Sequence, residues 1–441
     1  MAILSRSSAF SRVIALAEQR TLHESFSWLH LHGQQMLRWQ RDLVAIPAPP
    51  FGEEQRSLWI AERFRQAGLA EVQTDAIGNV FGIIPGEPGK TGSNSEDGFN
   101  PETASVVLLS AHLDTVFPAS TPLEPIVKDN RIEAPGACDN AAGVIGMLAI
   151  AHALLESKMP LGATLIFVGN VGEEGEGDLR GVRHIYRYSP YVGRVAAHIV
   201  LDGAGSETAV TQALGSRRYQ VTITGPGGHS FTDAGTPNPI LVLALALTKL
   251  GDAPLNSYQD EPRATLNVGT IQGGTSVNTI PENATASVEF RSTDPRPLVR
   301  LEVALHRAVE DAVEAANTAA GNRSGARSER RDGSRQKSIL RFSIEKIGDR
   351  PAADLPGDSP LMEALKAVDR HLGLRTDLRL GSTDANIPLS LGIPAVSLGA
   401  GGDGGGAHTR AEWYSATNRE LGLRRILLLT LTMLEWAGKQ S

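Results

Sequence analysis

Five segments of this chain put metal-ligating side chains where apolar runs stop. Ser105 to Ser110 leads into Ala111-His112-Leu113-Asp114, and Ala163 to Val168 leads into Gly172-Glu173-Glu174. Ala196 to Leu201 leads into Asp202-Gly203, and Ala395 to Leu398 passes through a glycine-rich loop to His408. Asp139 opens a helical stretch after Pro135-Gly136-Ala137-Cys138. Two imidazoles and three carboxylates suit a pair of zinc-like cations with one carboxylate bridging. Such cations lower the pKa of water from about 15.7 to roughly 7, giving a nucleophile at neutral pH. Asp114 shares a strand face with His112 and suits the second hydrogen bond that orients a metal-bound ring. The adjacent Glu173 and Glu174 cannot point the same way. One suits a ligand, and the other suits a base that takes a proton from water and hands it to a leaving amine.

Each signal has a plainer reading on its own. A strand-end His is commonly structural, a Glu pair in a loop is commonly solvated, Asp202-Gly203 is a turn sequence, and Asp139 is a helix N-cap candidate. Their joint arrival behind buried strands carries the weight, because sites in open α/β sheets form beyond the carboxyl ends of the strands. Gly399 to Gly406 lacks the Lys-Ser/Thr of a phosphate loop and opens no helix, so its glycines suit close backbone approach beside His408. Cys138 has no activating base in sequence and reads as a small buried residue.

The elements that must position these residues alternate. Glu53 to Gln66 has helical apolar spacing, Asn79 to Ile84 is a strand, and Asn140 to Leu155 is a helix. The near-continuous apolar runs mark strands buried on both faces. The expected fold class is α/β, a mostly parallel sheet flanked by helices. From about Leu214 the order becomes strand-helix-strand-strand-helix-strand, an inserted two-layer α+β domain. The expected organisation is a helical extension over 1–34, a first catalytic part over 35–213, the insertion over 214–350 and a second catalytic part over 351–441. Within the insertion, 317–338 is rich in Arg, Ser and Gly, with no aromatic residue among its charges, and reads as a flexible solvated loop. His23, His30 and His32 in the extension read as surface residues.

The chain has 441 residues, with 42 Lys plus Arg against 49 Asp plus Glu, a net charge of -7. That balance argues against nucleic acid or a membrane surface as partner. No apolar stretch approaches the ~20 residues of a membrane span. Cys138 is the single cysteine, so no internal disulfide forms, and a cytoplasmic location is expected.

Six motifs together resemble one family. They are Ser110-Ala111-His112-Leu113-Asp114-Thr115, Gly136 to Asn140, Gly172-Glu173-Glu174-Gly175, Asp202-Gly203, Gly225-Pro226-Gly227-Gly228-His229-Ser230 and Ala407-His408-Thr409. This set resembles the co-catalytic zinc peptidase and amidohydrolase family of carboxypeptidase G, peptidase T (tripeptide aminopeptidase), aminoacylase, acetylornithine deacetylase and succinyl-diaminopimelate desuccinylase. Leu201 to Gly205 and Gly177 to Gly181 look closest to the peptidase T-like branch.

The resemblance implies two Zn2+ per subunit, with Co2+ or Mn2+ as substitutes. Asp139 would bridge them, His112 and Asp202 would hold one, and Glu174 and His408 the other. Glu173 would be the general base, with Asp114 behind His112. The insertion looks like the family's lid and dimerisation domain, implying a homodimer. His229 would stabilise the oxyanion, and Asn278 and Arg291 would contact substrate. The expected function is a metal-dependent aminopeptidase acting on small peptides. The alternative is an N-acyl amino acid amidohydrolase. A non-catalytic binding protein is a remote third reading, disfavoured because no ligand or base is missing.

Overall fold

The computed structural model describes residues 2–86, 103–253, 262–324 and 339–440. These residues divide into two compact units, Met1–Ala213 with Asp354–Ser441, and Leu214–Ala353.

The first unit is built on a nine-stranded sheet. Its centre is four neighbouring parallel strands in the order Thr164–Asn170, Val106–His112, Val195–Leu201, Ala395–Leu398. Every residue from Val106 to His112 is buried, as a strand covered on both faces requires. Alternate residues divide between the faces. Val106, Leu108, Ile166 and Val168 join Val182, Ile185 and Tyr186 of the helix Arg180–Tyr188 in one core cluster. Antiparallel strands flank the centre: Val80–Ile84 beside Thr164–Asn170, and Thr208–Ala213 beside Ala395–Leu398. The helix Ala141–Glu156 is apolar almost all round, with thirteen of its residues buried, the mark of a core helix.

Four helices precede the sheet, Ala2–Ala17, Arg20–Leu31, Gly33–Val44 and Glu54–Ala67. The third crosses the expected boundary at residue 34, because Met36, Leu37, Leu43 and Val44 form its buried stripe. Of the three early histidines, His23 and His30 are exposed, with His30 Nδ1 2.8 Å from Glu420. His32 is half-buried and stacks on Trp28, ring centres 4.2 Å apart.

The second unit is a four-stranded antiparallel sheet in the order Ala264–Gly273, Asn283–Ser292, Gly215–Thr224, Arg341–Arg350. The helices Pro239–Gly251 and Pro295–Ser324 share its core with Tyr219, Val221, Ile223, Ala286, Val288 and Phe290. Asn283–Ser292 alternates buried and half-buried residues, so one face packs and the other is polar. The helix Pro295–Ser324 runs eight residues into the stretch read as a loop. Helix-favouring Ala319 and Ala320 continue it, with Ala320 buried, and Asn317 exchanges hydrogen bonds with the backbone of Leu340. Residues 325–338 lie outside the described residues, as does most of the polar stretch Gly86 to Asn100. Among the described residues, no helix is long and apolar enough to cross a membrane.

Candidate metal centre

A candidate ligand lies at or beyond the carboxyl end of each of the four central parallel strands. His112 is the last residue of its strand, Glu174 follows Thr164–Asn170, Asp202 follows Val195–Leu201, and His408 follows Ala395–Leu398. Parallel strands all present their carboxyl ends on one side, so side chains far apart in sequence converge there. Asp139 enters from the loop before the helix Ala141–Glu156.

The two carboxylate oxygens of Asp139 face different imidazoles. Oδ1 lies 3.2 Å from His112 Nε2, and Oδ2 lies 3.0 Å from His408 Nε2. Asp202 Oδ1 sits 3.7 Å from His112 Nε2, and Glu174 Oε1 sits 3.1 Å from His408 Nε2. Ligand atoms of His112, Asp139 and Glu174 all fall within 4.8 Å of one another.

Local structure fixes each of these groups. His112 Nδ1 lies 3.1 Å from the backbone carbonyl of Asp114. A carbonyl only accepts, so Nδ1 carries a proton, and the ring, once Nε2 gives up its own proton, offers the Nε2 lone pair to a metal. The Asp114 carboxylate stands 3.6 Å from the same nitrogen and favours charge on the ring, and it also accepts two backbone hydrogen bonds. The backbone N–H groups of Glu173 and Glu174 donate to it at 3.0 and 2.7 Å. Asp114 therefore holds the Glu173-Glu174 turn, a role that its position beside His112 does not reveal. The helix N-cap is Asn140 and not Asp139. Asn140 Oδ1 accepts from the Gly143 N–H at 3.0 Å, which leaves the Asp139 side chain for the site. Asn140 also brackets Asp202, accepting from Gly203 N–H at 3.1 Å and donating to Leu201 O at 2.8 Å. His408 adopts φ +63°, a left-handed conformation that costs a non-glycine residue of order 1–3 kcal/mol and recurs where function demands it.

The electrostatics call for added positive charge. Burial disfavours a charge on His112, yet Asp114, Asp139 and Asp202 hold its pKa well above the ordinary value. Hydrogen bonds to Asp139 and Glu174 push His408 up to about 10. Burial opposes ionisation of Asp139, but His112 and His408 hold its carboxyl well below the usual range. Protons on two imidazoles thus stand where cations would. Asp139 Oδ1 is buried without a hydrogen bond, a group that needs a positive partner. Donor types, convergence and this orphaned oxygen all fit a divalent metal centre.

Three buried groups beside the ligands escaped sequence reasoning. Glu412 accepts three backbone N–H bonds from the Gly136–Asp139 loop; its place four residues after His408 is the signal that could have found it. Asp384 is fully buried, accepts from Asn170 Nδ2 at 2.6 Å, and is pushed up to about 7 by burial against the pull of His112. Arg56 is also buried, donating to Leu113 O and Ile46 O. Burial lowers its pKa to about 10, opposed by Asp114 and Glu412. Cys138 is buried and its thiol is pushed up to about 12 by burial, so it is no nucleophile at neutral pH.

Within the second unit, the two-residue strands Gly228–His229 and Thr279–Ile280 pair antiparallel, which brings His229 beside Asn278. Ser230 N–H donates to Asn278 O at 3.0 Å. His229 Nδ1 accepts from the N–H groups of Phe231 and Thr232 at 3.1 and 3.3 Å. Its proton is therefore on Nε2, a neutral donor. Asn278 Oδ1 accepts from Ser276 Oγ at 2.6 Å, leaving the amide N–H2 as its donor end. Arg291 lies elsewhere, on the half-exposed face of Asn283–Ser292. Its guanidinium makes a two-point contact with Glu289 at 2.9 and 3.0 Å. The pairing expected for a substrate carboxylate is made instead by a neighbour two residues away on the same strand face.

Comparison with known proteins follows the same lines. A putative succinyl-diaminopimelate desuccinylase of Mycobacterium tuberculosis is 28% identical over 313 residues, 70% of this chain and 77% of that protein. A probable carboxypeptidase of Aspergillus terreus is 30% identical over 275 residues, 58% of this chain and 60% of that protein. One from Neosartorya fischeri is 26% identical over 278 residues, 58% of this chain and 61% of that protein. The matches thus span about three fifths of these fungal relatives. Among solved structures, a Staphylococcus aureus tripeptidase superposes with TM-score 0.66 at 22% identity, covering 92% of this chain and 99% of that one. Aminopeptidase PepT of Bacillus cereus also gives TM-score 0.66, at 19% identity, covering 91% and 98%. At those identities the likeness establishes the fold. The sequence model of Peptidase family M20/M25/M40 matches residues 108–431. That match runs from the strand ending in His112 into the last helix, across every candidate ligand, and the chain belongs to this family.

Proposed function

We propose that the protein is a dinuclear metal-dependent hydrolase, with zinc as its metal, that cuts the amide bond of small peptides as an aminopeptidase. The supporting observation is the division of Asp139. One oxygen faces His112, beside Asp202, and the other faces His408, beside Glu174. A carboxylate between two donor sets suits a bridge between two ions.

Bound there, a pair of cations supplies Lewis acidity and makes water nucleophilic near neutral pH. Glu173 takes the proton of the attacking water and delivers it to the leaving amine. Asp114 fixes the turn that carries Glu173 and Glu174. The Nε2–H of His229 stabilises the oxyanion, and the amide of Asn278 contacts the substrate. Arg291 binds a substrate carboxylate by exchanging it for Glu289. The subunits pair through the Leu214–Ala353 unit, and the enzyme works in the cytoplasm.

A second reading is favoured by the desuccinylase-named relative, which matches 70% of this chain. In it the scissile amide is that of an N-acyl amino acid. A panel of free, N-blocked and C-amidated tripeptides, with N-acetyl and N-succinyl amino acids, separates the readings. Hydrolysis of free tripeptides, lost on N-blocking, is expected. Cleavage of acyl amino acids alone would replace the first reading by the second. Chelation should abolish turnover and zinc or cobalt restore it. Glu173→Gln should keep its metal and nearly stop turnover; full activity in that variant would remove Glu173 as base. Sedimentation at micromolar concentration should give a dimer, and a monomer would refute subunit pairing.

A further inference from the structure

We infer that Glu412 is a positioning residue that holds Asp139 in its bridging orientation before any metal arrives. This inference rests on the metal reading above and adds a residue that neither the motifs nor the ligand set assign.

Glu412 is 1% exposed. Its Oε1 accepts from the N–H groups of Cys138 and Asp139 at 2.8 and 2.7 Å, and Oε2 accepts from Gly136 N–H at 2.8 Å. A buried carboxylate with three backbone donors is a charge-assisted clamp, not a solvated surface group. The loop is built to offer those donors. Gly136 has φ +76°, and a Cβ there would lie 2.9 Å from Thr115 Cγ2, so glycine alone fits comfortably. The clamp is itself anchored. Glu412 O accepts from Ala134 N–H at 3.0 Å, and the next residues, Trp413 and Tyr414, pair with Glu133 and Ile132. Arg56, fully buried, supplies positive charge to both Glu412 and Asp114.

The consequence concerns geometry at the bridge. Two of the three clamped amides are those of Asp139 and the residue before it. Fixing the Asp139 backbone fixes the direction in which its carboxylate leaves the loop, toward His112 on one side and His408 on the other. The segment from His408 to Glu412 therefore brings one ligand and orients another. Asp114 does the same for Glu174, and Asn140 holds the residues on either side of Asp202, Leu201 and Gly203. At each of these carboxylate ligands the backbone of the ligand or of its immediate neighbours is held by a buried polar side chain from a different segment.

The test compares full-length wild type and E412Q, stripped of metal and titrated with Co2+, read by visible absorption and by competition with a chelating dye. Both should fold by circular dichroism. E412Q should bind Co2+ about 10- to 100-fold more weakly, with a changed absorption band, and kcat should fall more than KM changes. An E412Q protein with wild-type Co2+ affinity and spectrum overturns the inference, even if it melts earlier. Should E412Q fail to fold, hydrogen exchange on metal-free wild type decides. The peptide covering Gly136–Asp139 should be protected without metal, and fast exchange there overturns the inference. A wild type that takes up no Co2+ overturns the metal reading itself, and this inference with it.

Discussion

Replacing Asp114 by Asn removes one charge and almost no volume, so it tests the clamp on the Glu173-Glu174 turn together with the charge that Asp114 lends to His112. The side chain is fully buried and receives the Glu173 and Glu174 N–H groups on separate oxygens. An Asn has one acceptor oxygen, so one amide N–H must face the new NH2 group. A buried donor left without an acceptor costs about 1–3 kcal/mol, and turning the surviving charge-assisted bond into a neutral one costs about 1 kcal/mol more. The sum is about 2–4 kcal/mol. His112 keeps its hydrogen bond to the Asp114 backbone but loses the neighbouring charge that raises its pKa, so that sum counts the turn alone. Urea unfolding of metal-free wild type and Asp114→Asn should show this loss as a lower midpoint at unchanged slope. In the metal-loaded enzyme, kcat should fall by about 30- to 1000-fold if the displaced turn costs the transition state as much, while KM changes little. A variant within about 1 kcal/mol of wild type in stability, and within about fivefold in kcat/KM, would refute the clamp.

Further predictions concern the scaffold under the site. His198 is buried between Tyr186 OH at 3.0 Å and Ser110 Oγ at 2.8 Å, and burial lowers its pKa to about 3. The unfolded chain, with a pKa near 6.5, takes up this proton first, so stability present above pH ~6.5 is lost as pH falls toward 3. The loss is about 2 kcal/mol by pH 5. His198→Gln in metal-free protein should show that much less acid destabilisation than wild type; identical pH profiles would remove His198 as the cause. Arg425 holds Asp369 with two bonds at 2.7 and 2.8 Å, both side chains buried. Arg425→Met strands the carboxylate and should cost about 3–5 kcal/mol, while adding Asp369→Leu should restore most of it. Thermal melts of the single and double variants check this, and a double variant as unstable as the single would contradict it.

Legibility in the sequence followed the range of the forces involved. The apolar run ahead of His112, the short one ahead of His408 and the helical apolar spacing over Glu53 to Gln66 are local periodicities, and they announce strands and a helix without knowledge of neighbours. Ligand types at the ends of those runs were legible for the same reason. The helix Pro295–Ser324 runs into the loop that its polar residues suggest, because alanines and two hydrogen bonds between Asn317 and the Leu340 backbone extend it. The spacing of Arg291 does not show that Glu289 occupies its fork, a contact that only the pairing within the sheet reveals.

By itself, then, the sequence determined which residues have the chemistry of a metal centre, and that buried parallel strands deliver them. Only the tertiary structure decided how they are held. Asp139 and Asn140 are adjacent, and both are N-cap residues by type; the cap fell to Asn140 because its side chain also meets Leu201 and Gly203, some 60 positions away. Glu412 reaches Asp139 across 273 positions, and Asp114 reaches Glu174 across 60. A buried carboxylate takes whichever donors the fold brings within about 3 Å, and sequence spacing does not encode which strands will be neighbours.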